Sequence, residues 1–204
     1  ATEFWSKCAA SATLPETAAP SPGSFEETYR SLAAEGATAI VVVALSSDLS
    51  ATMQSAELAA RAVSPGIDVR IVDSRNASMG LGLTVLACAE LAKTGASADE
   101  VVARAQSVIP RTRVFAALDT LDNLKKGGRI GGAKAMLATV MSIKPLISIT
   151  NGLVEEAGKQ RTRSKALAHL VEILRNQEVP IERLAVLNAQ CADIDAFIAM
   201  VKEV

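Results

Sequence analysis

Ala39-Ile-Val-Val-Val-Ala-Leu45, followed at once by Ser46-Ser47-Asp48-Leu49-Ser50-Ala51-Thr52, is the stretch on which the reading of this 204-residue chain turns. An unbroken apolar run rich in β-branched residues, with no polar alternation, describes a strand buried on both faces. The run is far too short to span a bilayer. The turn behind it is rich in hydroxyls, and an alanine-rich helix follows to about Val63. Strand, turn and helix together bring hydroxyls, backbone N–H groups and the positive end of a helix dipole to one place, which is competent to hold a carboxylate or a phosphate. Simple N-capping by Ser47 or Ser50, contributing about 1 kcal/mol, accounts for the same residues. Composition alone leaves both readings open.

Working outward, Phe4, Trp5, Cys8 and Ala12 fall on one helical face, and an exposed, proline-bearing connection runs from Thr13 to Gly23. Ser24-Phe-Glu-Glu27 has the form of a capping box for a helix through Leu32. On the other side, Val69 to Val72 reads as a second buried strand ending in Asp73-Ser74, and a long helix runs from about Ala77 to Lys93. Ser97-Ala-Asp-Glu100 caps the next helix, and Arg113 to Leu118 is a third strand. Strands alternating with helices imply a doubly wound, mainly parallel sheet, in which ligands sit outside the carboxyl ends of the strands. The serine turn lies at such an end. Further on, Leu146 to Thr150 and Leu153 to Ala157 flank Asn151-Gly152, a strong hairpin signal. A helix from Ser164 to Arg175, a strand at Leu184 to Leu187 and a helix from Asp193 complete the chain. The expected architecture is α/β: a doubly wound lobe over 1–118, a second, mixed α+β lobe over 119–204, and a ligand between them.

Near that junction, Asp119-Thr-Leu-Asp-Asn-Leu-Lys-Lys-Gly-Gly-Arg-Ile-Gly-Gly132 sets Arg129 between two glycine doublets. A guanidinium there is placed to meet an anion or a partner, while a helix C-cap with solvated lysines explains the same residues. The spacing fits neither a nucleotide phosphate loop nor a dinucleotide fingerprint.

Half the residues are apolar but only 3% are aromatic, so the core is built from Ala, Val, Leu and Ile. A net charge of -1 gives no electrostatic footprint for nucleic acid or for an anionic membrane. Cys8, Cys88 and Cys191 read as buried free thiols in a reducing compartment, hence the cytoplasm. The single histidine, His169, lies between Leu167 and Leu170 in a helix with nothing to equip it as a base, and no residues have metal spacing.

Six motifs occur in order: Thr17-x-x-Pro20-Ser21; Leu45-Ser-Ser-x-Leu-Ser-x-Thr52; Val72-Asp-Ser74; Leu121-x-x-Leu-Lys-Lys-Gly-Gly-Arg-Ile130; Ile143-Lys-Pro145; and Lys159-x-Arg161. The set resembles the DegV family of bacterial fatty-acid-binding proteins. That resemblance implies a two-lobed α/β carrier, not itself an enzyme and without a cofactor, that holds one long-chain fatty acid in a buried tunnel and presents it to a separate fatty-acid kinase. It implies that Thr17 and Ser47 or Ser50 grip the carboxylate, while Arg129 and Arg161 serve the head-group region and kinase docking. Two positions depart from the family pattern: Ala18 stands where a serine is usual, and Ala51 where a glycine is usual. The family's opening strand and its closing His-x-Gly-Pro-Gly motif are missing, as expected of an internal portion of a longer protein. The competing expectation is an enzyme or sensor for a small anionic metabolite, using the serine turn and Arg129.

Overall fold

The computed structural model describes residues 2–138 and 143–204. In chain order the elements are α1 (Thr2–Ala10), α2 (Pro22–Ala34), β1 (Ile40–Ala44), α3 (Thr52–Val63), β2 (Val69–Asp73), α4 (Ser78–Ala92), α5 (Ala98–Val108), β3 (Val114–Ala117), α6 (Asp122–Lys126), β4 (Lys144–Thr150), β5 (Leu153–Gln160), α7 (Arg163–Arg175) and α8 (Ile194–Lys202). Short 3-10 segments cover Ile109–Arg111 and Gly131–Ala138. The chain divides into two compact units, one of Ala18–Val114 with Ile149–Leu153, the other of Ala1–Thr17, Phe115–Ser148 and Val154–Val204.

The first unit is built on the parallel pair β1 and β2, in register from Ile40 opposite Val69 to Ala44 opposite Asp73. Because side chains alternate along a strand, β1 feeds two cores. Ile40 and Val42 turn to one face and pack with Tyr29 of α2 and with Ala59 and Val63 of α3. Val41 and Val43 turn to the other and pack with Cys88 of α4 and with Val101 and Ala105 of α5. Helices therefore cover both faces, which is why the strand reads as continuous apolar sequence. The three valines are partly buried, so each contributes less than the roughly 1.5–3 kcal/mol of a fully buried side chain.

Helix starts follow local chemistry. Ser97 and Glu100 form the reciprocal capping box, Glu100 Oε2 accepting from the Ser97 N–H at 2.7 Å. At α2 the expected box on Ser24 is not the start. Ser21 is the N-cap, its Oγ accepting from the Ser24 N–H at 3.2 Å, because Pro22 at the first helical position needs no donor.

The second unit holds a separate mixed sheet in the order β3-β4-β5. The hairpin of β4 and β5 turns at Asn151 and Gly152, with φ of 52° and 85°, the left-handed pair a two-residue hairpin requires. Two strand expectations are corrected. The strand at Arg113 to Leu118 forms, but it does not extend the parallel pair; it joins β4, with the Leu118 N–H donating to the Pro145 carbonyl at 2.9 Å. Residues 184–187 form no strand, and Leu184 and Leu187 stay half exposed because, among the described residues, no neighbouring edge pairs with that run. Of the three free thiols only Cys88 is buried; Cys8 and Cys191 are partly exposed.

Candidate functional site

The serine turn begins where β1 and β2 end. The Ser46 N–H donates to the Asn76 carbonyl at 2.9 Å and the Ser74 N–H to the Ala44 carbonyl at 3.0 Å, so the parallel pairing continues past the strands. The Ser46 carbonyl then accepts from both Leu49 and Ser50, at 3.0 and 3.2 Å, and the chain enters α3 at Thr52. Ser46, Ser74 and Asn76 are all buried, an unusual density of polar groups for an interior. Ser74 and Asn76 bond each other's backbone. Asn76 Oδ1, by contrast, is buried without a hydrogen-bond partner and presses on Gly80, where a Cβ would fall 2.8 Å from it.

The hydroxyls of the turn are not equivalent. Ser47, exposed, donates its Oγ proton to Asp73 Oδ2 at 2.7 Å, and its N–H lies 3.4 Å from the same oxygen. Ser50 and Thr52, partly buried, share a hydrogen bond of 2.9 Å, and Ser50 Oγ accepts the Thr52 N–H at 3.3 Å. Neither serine is the N-cap of α3; that position is Ala51, which offers no side-chain acceptor. Ser46 Oγ donates to the Gly152 carbonyl at 2.8 Å. One guanidinium ties these pieces together. Arg75 lies 2.7 Å from Asp48, 3.6 Å from Asp73, and donates to the Asn151 carbonyl. Arg75 is not among the residues that the sequence singles out, and Asp73 enters there only as a strand end and within the Val72-Asp-Ser74 motif. The signal that could have found them was Asp73-Ser-Arg75 at the carboxyl end of a buried strand, where charged side chains converge on the neighbouring turn.

The remaining candidates lie in the second unit. Thr17 is exposed at the end of its amino-terminal segment. Arg129 is exposed, and its Nη1 donates to the Gly127 carbonyl at 2.6 Å, folding the guanidinium back on its own loop. Arg161 is exposed between β5 and the N-cap of α7. The glycines after Arg129 are explained by packing. A Cβ on Gly131 would strike the Val154 carbonyl, and one on Gly132 would strike the Glu155 carboxylate, so β5 and not an anion fills the space beside them. His169 sits on α7 with Nδ1 3.4 Å from Glu172. Among the described residues no group of three His, Cys, Asp or Glu could hold a metal ion, and no helix is long and apolar enough to cross a membrane.

Comparison with known proteins shows what the chain as a whole is similar to. A DegV domain-containing protein of Streptomyces coelicolor is 43% identical over 157 residues, covering 77% of this chain and 55% of its own length. Among solved structures, a fatty-acid-binding DegV family protein from Thermus thermophilus superposes with a TM-score of 0.77 at 39% identity, over 85% of this chain and 61% of its own. A DegV family protein from Ruminococcus gnavus, solved with vaccenic acid, gives a TM-score of 0.81 at 27% identity, over 99% of this chain and 73% of its own. The chain thus spans between one half and two thirds of the length of the first two. The family model described as "Uncharacterised protein, DegV family" matches residues 1–203, and the chain belongs to the DegV family.

Proposed function

We propose that this protein binds a long-chain fatty acid in the cytoplasm, grips its carboxylate with hydroxyls, buries its tail among aliphatic side chains and presents the head group to a separate fatty-acid kinase. It is a carrier, and the phosphorylation belongs to the partner. The observation that carries the reading is that the Thermus thermophilus relative, similar over 85% of this chain, binds fatty acid, as the vaccenic acid of the Ruminococcus gnavus relative supports. The serine turn adds a local reason, since hydroxyls at the start of α3 suit an anion.

Of the turn hydroxyls, Ser50 is the better grip. A carboxylate accepts hydrogen bonds and donates none, so a hydroxyl must bring its proton. Ser47 has committed its proton to Asp73. Ser50 Oγ accepts from the Thr52 N–H and shares a hydrogen bond with the Thr52 hydroxyl in which either oxygen can donate; with Thr52 as the donor, the Ser50 proton is left for a carboxylate, and a hydroxyl that accepts becomes a better donor. By the family resemblance Thr17 is a further candidate hydroxyl, and Arg129 and Arg161, both exposed, serve the kinase-facing surface.

Native mass spectrometry of the intact protein from a bacterial host is expected to show a bound fatty acid. Ser50→Ala is expected to weaken palmitate binding by about tenfold, the scale of a hydrogen bond to a charged group, and Ser47→Ala to change it little. A protein that stays empty and takes up no labelled palmitate defeats the reading; equal effects of the two substitutions move the grip elsewhere in the turn.

A further inference from the structure

The tip of the β4–β5 hairpin, Ile149–Leu153, belongs to the same compact unit as the serine turn. Its turn carbonyls are both spoken for by side chains from the carboxyl ends of β1 and β2. Ser46 Oγ holds the Gly152 carbonyl and Arg75 holds the Asn151 carbonyl, a separation in sequence of 106 and 76 residues respectively. Arg75 also reaches Asp48 inside the turn and Asp73, which in turn fixes Ser47. A single guanidinium, with its forked donors, therefore ties turn, strand end and hairpin tip.

The fit is tight enough to be specific. Gly152 is buried, its φ is 85°, and a Cβ there would fall 2.7 Å from both Ser46 Oγ and the Arg75 guanidinium carbon. Arg75 itself holds a left-handed backbone, φ 51°, with its N–H on Asp73 Oδ1 at 2.8 Å. A residue without glycine's freedom stays in that region only where its surroundings hold it. Arg75 also sets the local charge. Asp48 and Asp73 are two carboxylates beside the hydroxyls proposed to bind a third, and Arg75 is the cation that meets both. Coulomb repulsion between like charges at such range otherwise opposes a bound anion.

We infer that Arg75 is a positioning residue and that, with Ser46, it latches the Asn151–Gly152 hairpin tip onto the serine turn, so that the two segments order together and the turn keeps the conformation that retains an anionic ligand. The retention arm rests on the fatty-acid reading; the coupling of the two segments does not.

The test uses the intact protein and two variants that act differently. Arg75→Asn tolerates left-handed backbone but cannot bridge the three partners; Gly152→Ala keeps every charge and forces the tip off its seat. By hydrogen exchange without ligand, each variant is expected to expose residues 46–52 and 149–153 together while α5 keeps the parent's protection. Each is expected to speed release of labelled palmitate about tenfold, the scale of an ordinary coupling between sites. Faster exchange confined to one of the two segments overturns the latch. Loosening of both with palmitate release unchanged overturns its role in retention. Should the parent bind no palmitate at all, the retention arm falls with the fatty-acid reading, and the exchange of the two segments still decides the latch.

Discussion

At the scale of single residues, Gly131 shows how a position that looks like a ligand loop is set by packing. Its φ of 52° is left-handed, and a Cβ there would run into the Val154 carbonyl of β5. Left-handed strain and overpacking act together, so Gly131→Ala is expected to cost about 3 kcal/mol, read as a lowered urea midpoint. A parent-like midpoint would mean that β5 yields easily and that the glycine has another purpose. Cys88 gives a second case. Burial pushes its thiol above the usual cysteine range, and its Sγ sits against the Val101 carbonyl at 3.7 Å. Only the thiolate reacts readily. Cys8 and Cys191 are therefore expected to take up a thiol reagent in the folded protein, and Cys88 only after unfolding; early labelling of Cys88 would show that the α4–α5 core opens. The hydroxyls of the serine turn were legible from sequence because their chemistry is local. The distant partners were not: Ser46 bonds a carbonyl 106 residues away and Ser47 a carboxylate 26 residues away, and nothing in residues 46–52 announces either.

Elements depend on pairing, and pairing is where sequence patterns run out. The apolar character of β1, the capping box of α5 and the Asn-Gly turn each state their structure within a few residues. The residues of β3 state only that they form a strand, since a short apolar run fits any free edge, and the choice of β4 over the parallel pair lies in β4. Likewise, the Leu184 to Leu187 pattern finds no strand partner among the described residues. The tie between α7 and α8 is equally non-local. Arg163 opens α7 and meets Asp193, the residue before α8, in two hydrogen bonds of 2.5 and 2.9 Å; it also lies 3.6 Å from Asp119, which accepts from Lys144 Nζ at 2.8 Å. The Arg163 hydrogen bonds hold the Asp193 carboxyl below the ordinary carboxylate range, and that of Lys144 does the same to Asp119. Depressed values in the folded chain mean that the unfolded chain binds these protons more readily. The stability they contribute is present above the ordinary carboxylate pKa of about 4 and is lost as pH falls through the lower folded values. Asp193→Asn is accordingly expected to destabilise the protein near neutrality and to flatten the fall of the urea midpoint with acid. An unchanged acid slope would assign that fall to other carboxylates.

For the whole molecule, composition bears on the kind of ligand. A chain half apolar and only 3% aromatic builds its interior from aliphatic side chains, and aliphatic walls suit a hydrocarbon tail better than a planar or polar ligand. A fatty acid held by its carboxylate and buried along its tail gains about 0.8 kcal/mol per methylene, roughly fourfold in affinity. A metabolite-sized anion gripped by the same hydroxyls gains nothing from a longer tail. Affinity is therefore expected to climb steadily from decanoate to palmitate in the intact protein, measured by displacement of a fluorescent fatty acid, and to level off once the tail fills its space. Stability must follow the same order, because a ligand that binds only the folded state stabilises it by mass action, about 2.7 kcal/mol at a hundred times its Kd. For a chain of this size that corresponds to a rise in Tm of roughly 5–10 °C. Affinity and Tm that respond to the carboxylate but not to chain length would leave the tail in solvent, and the protein would then be a receptor for a small anion instead of a lipid carrier.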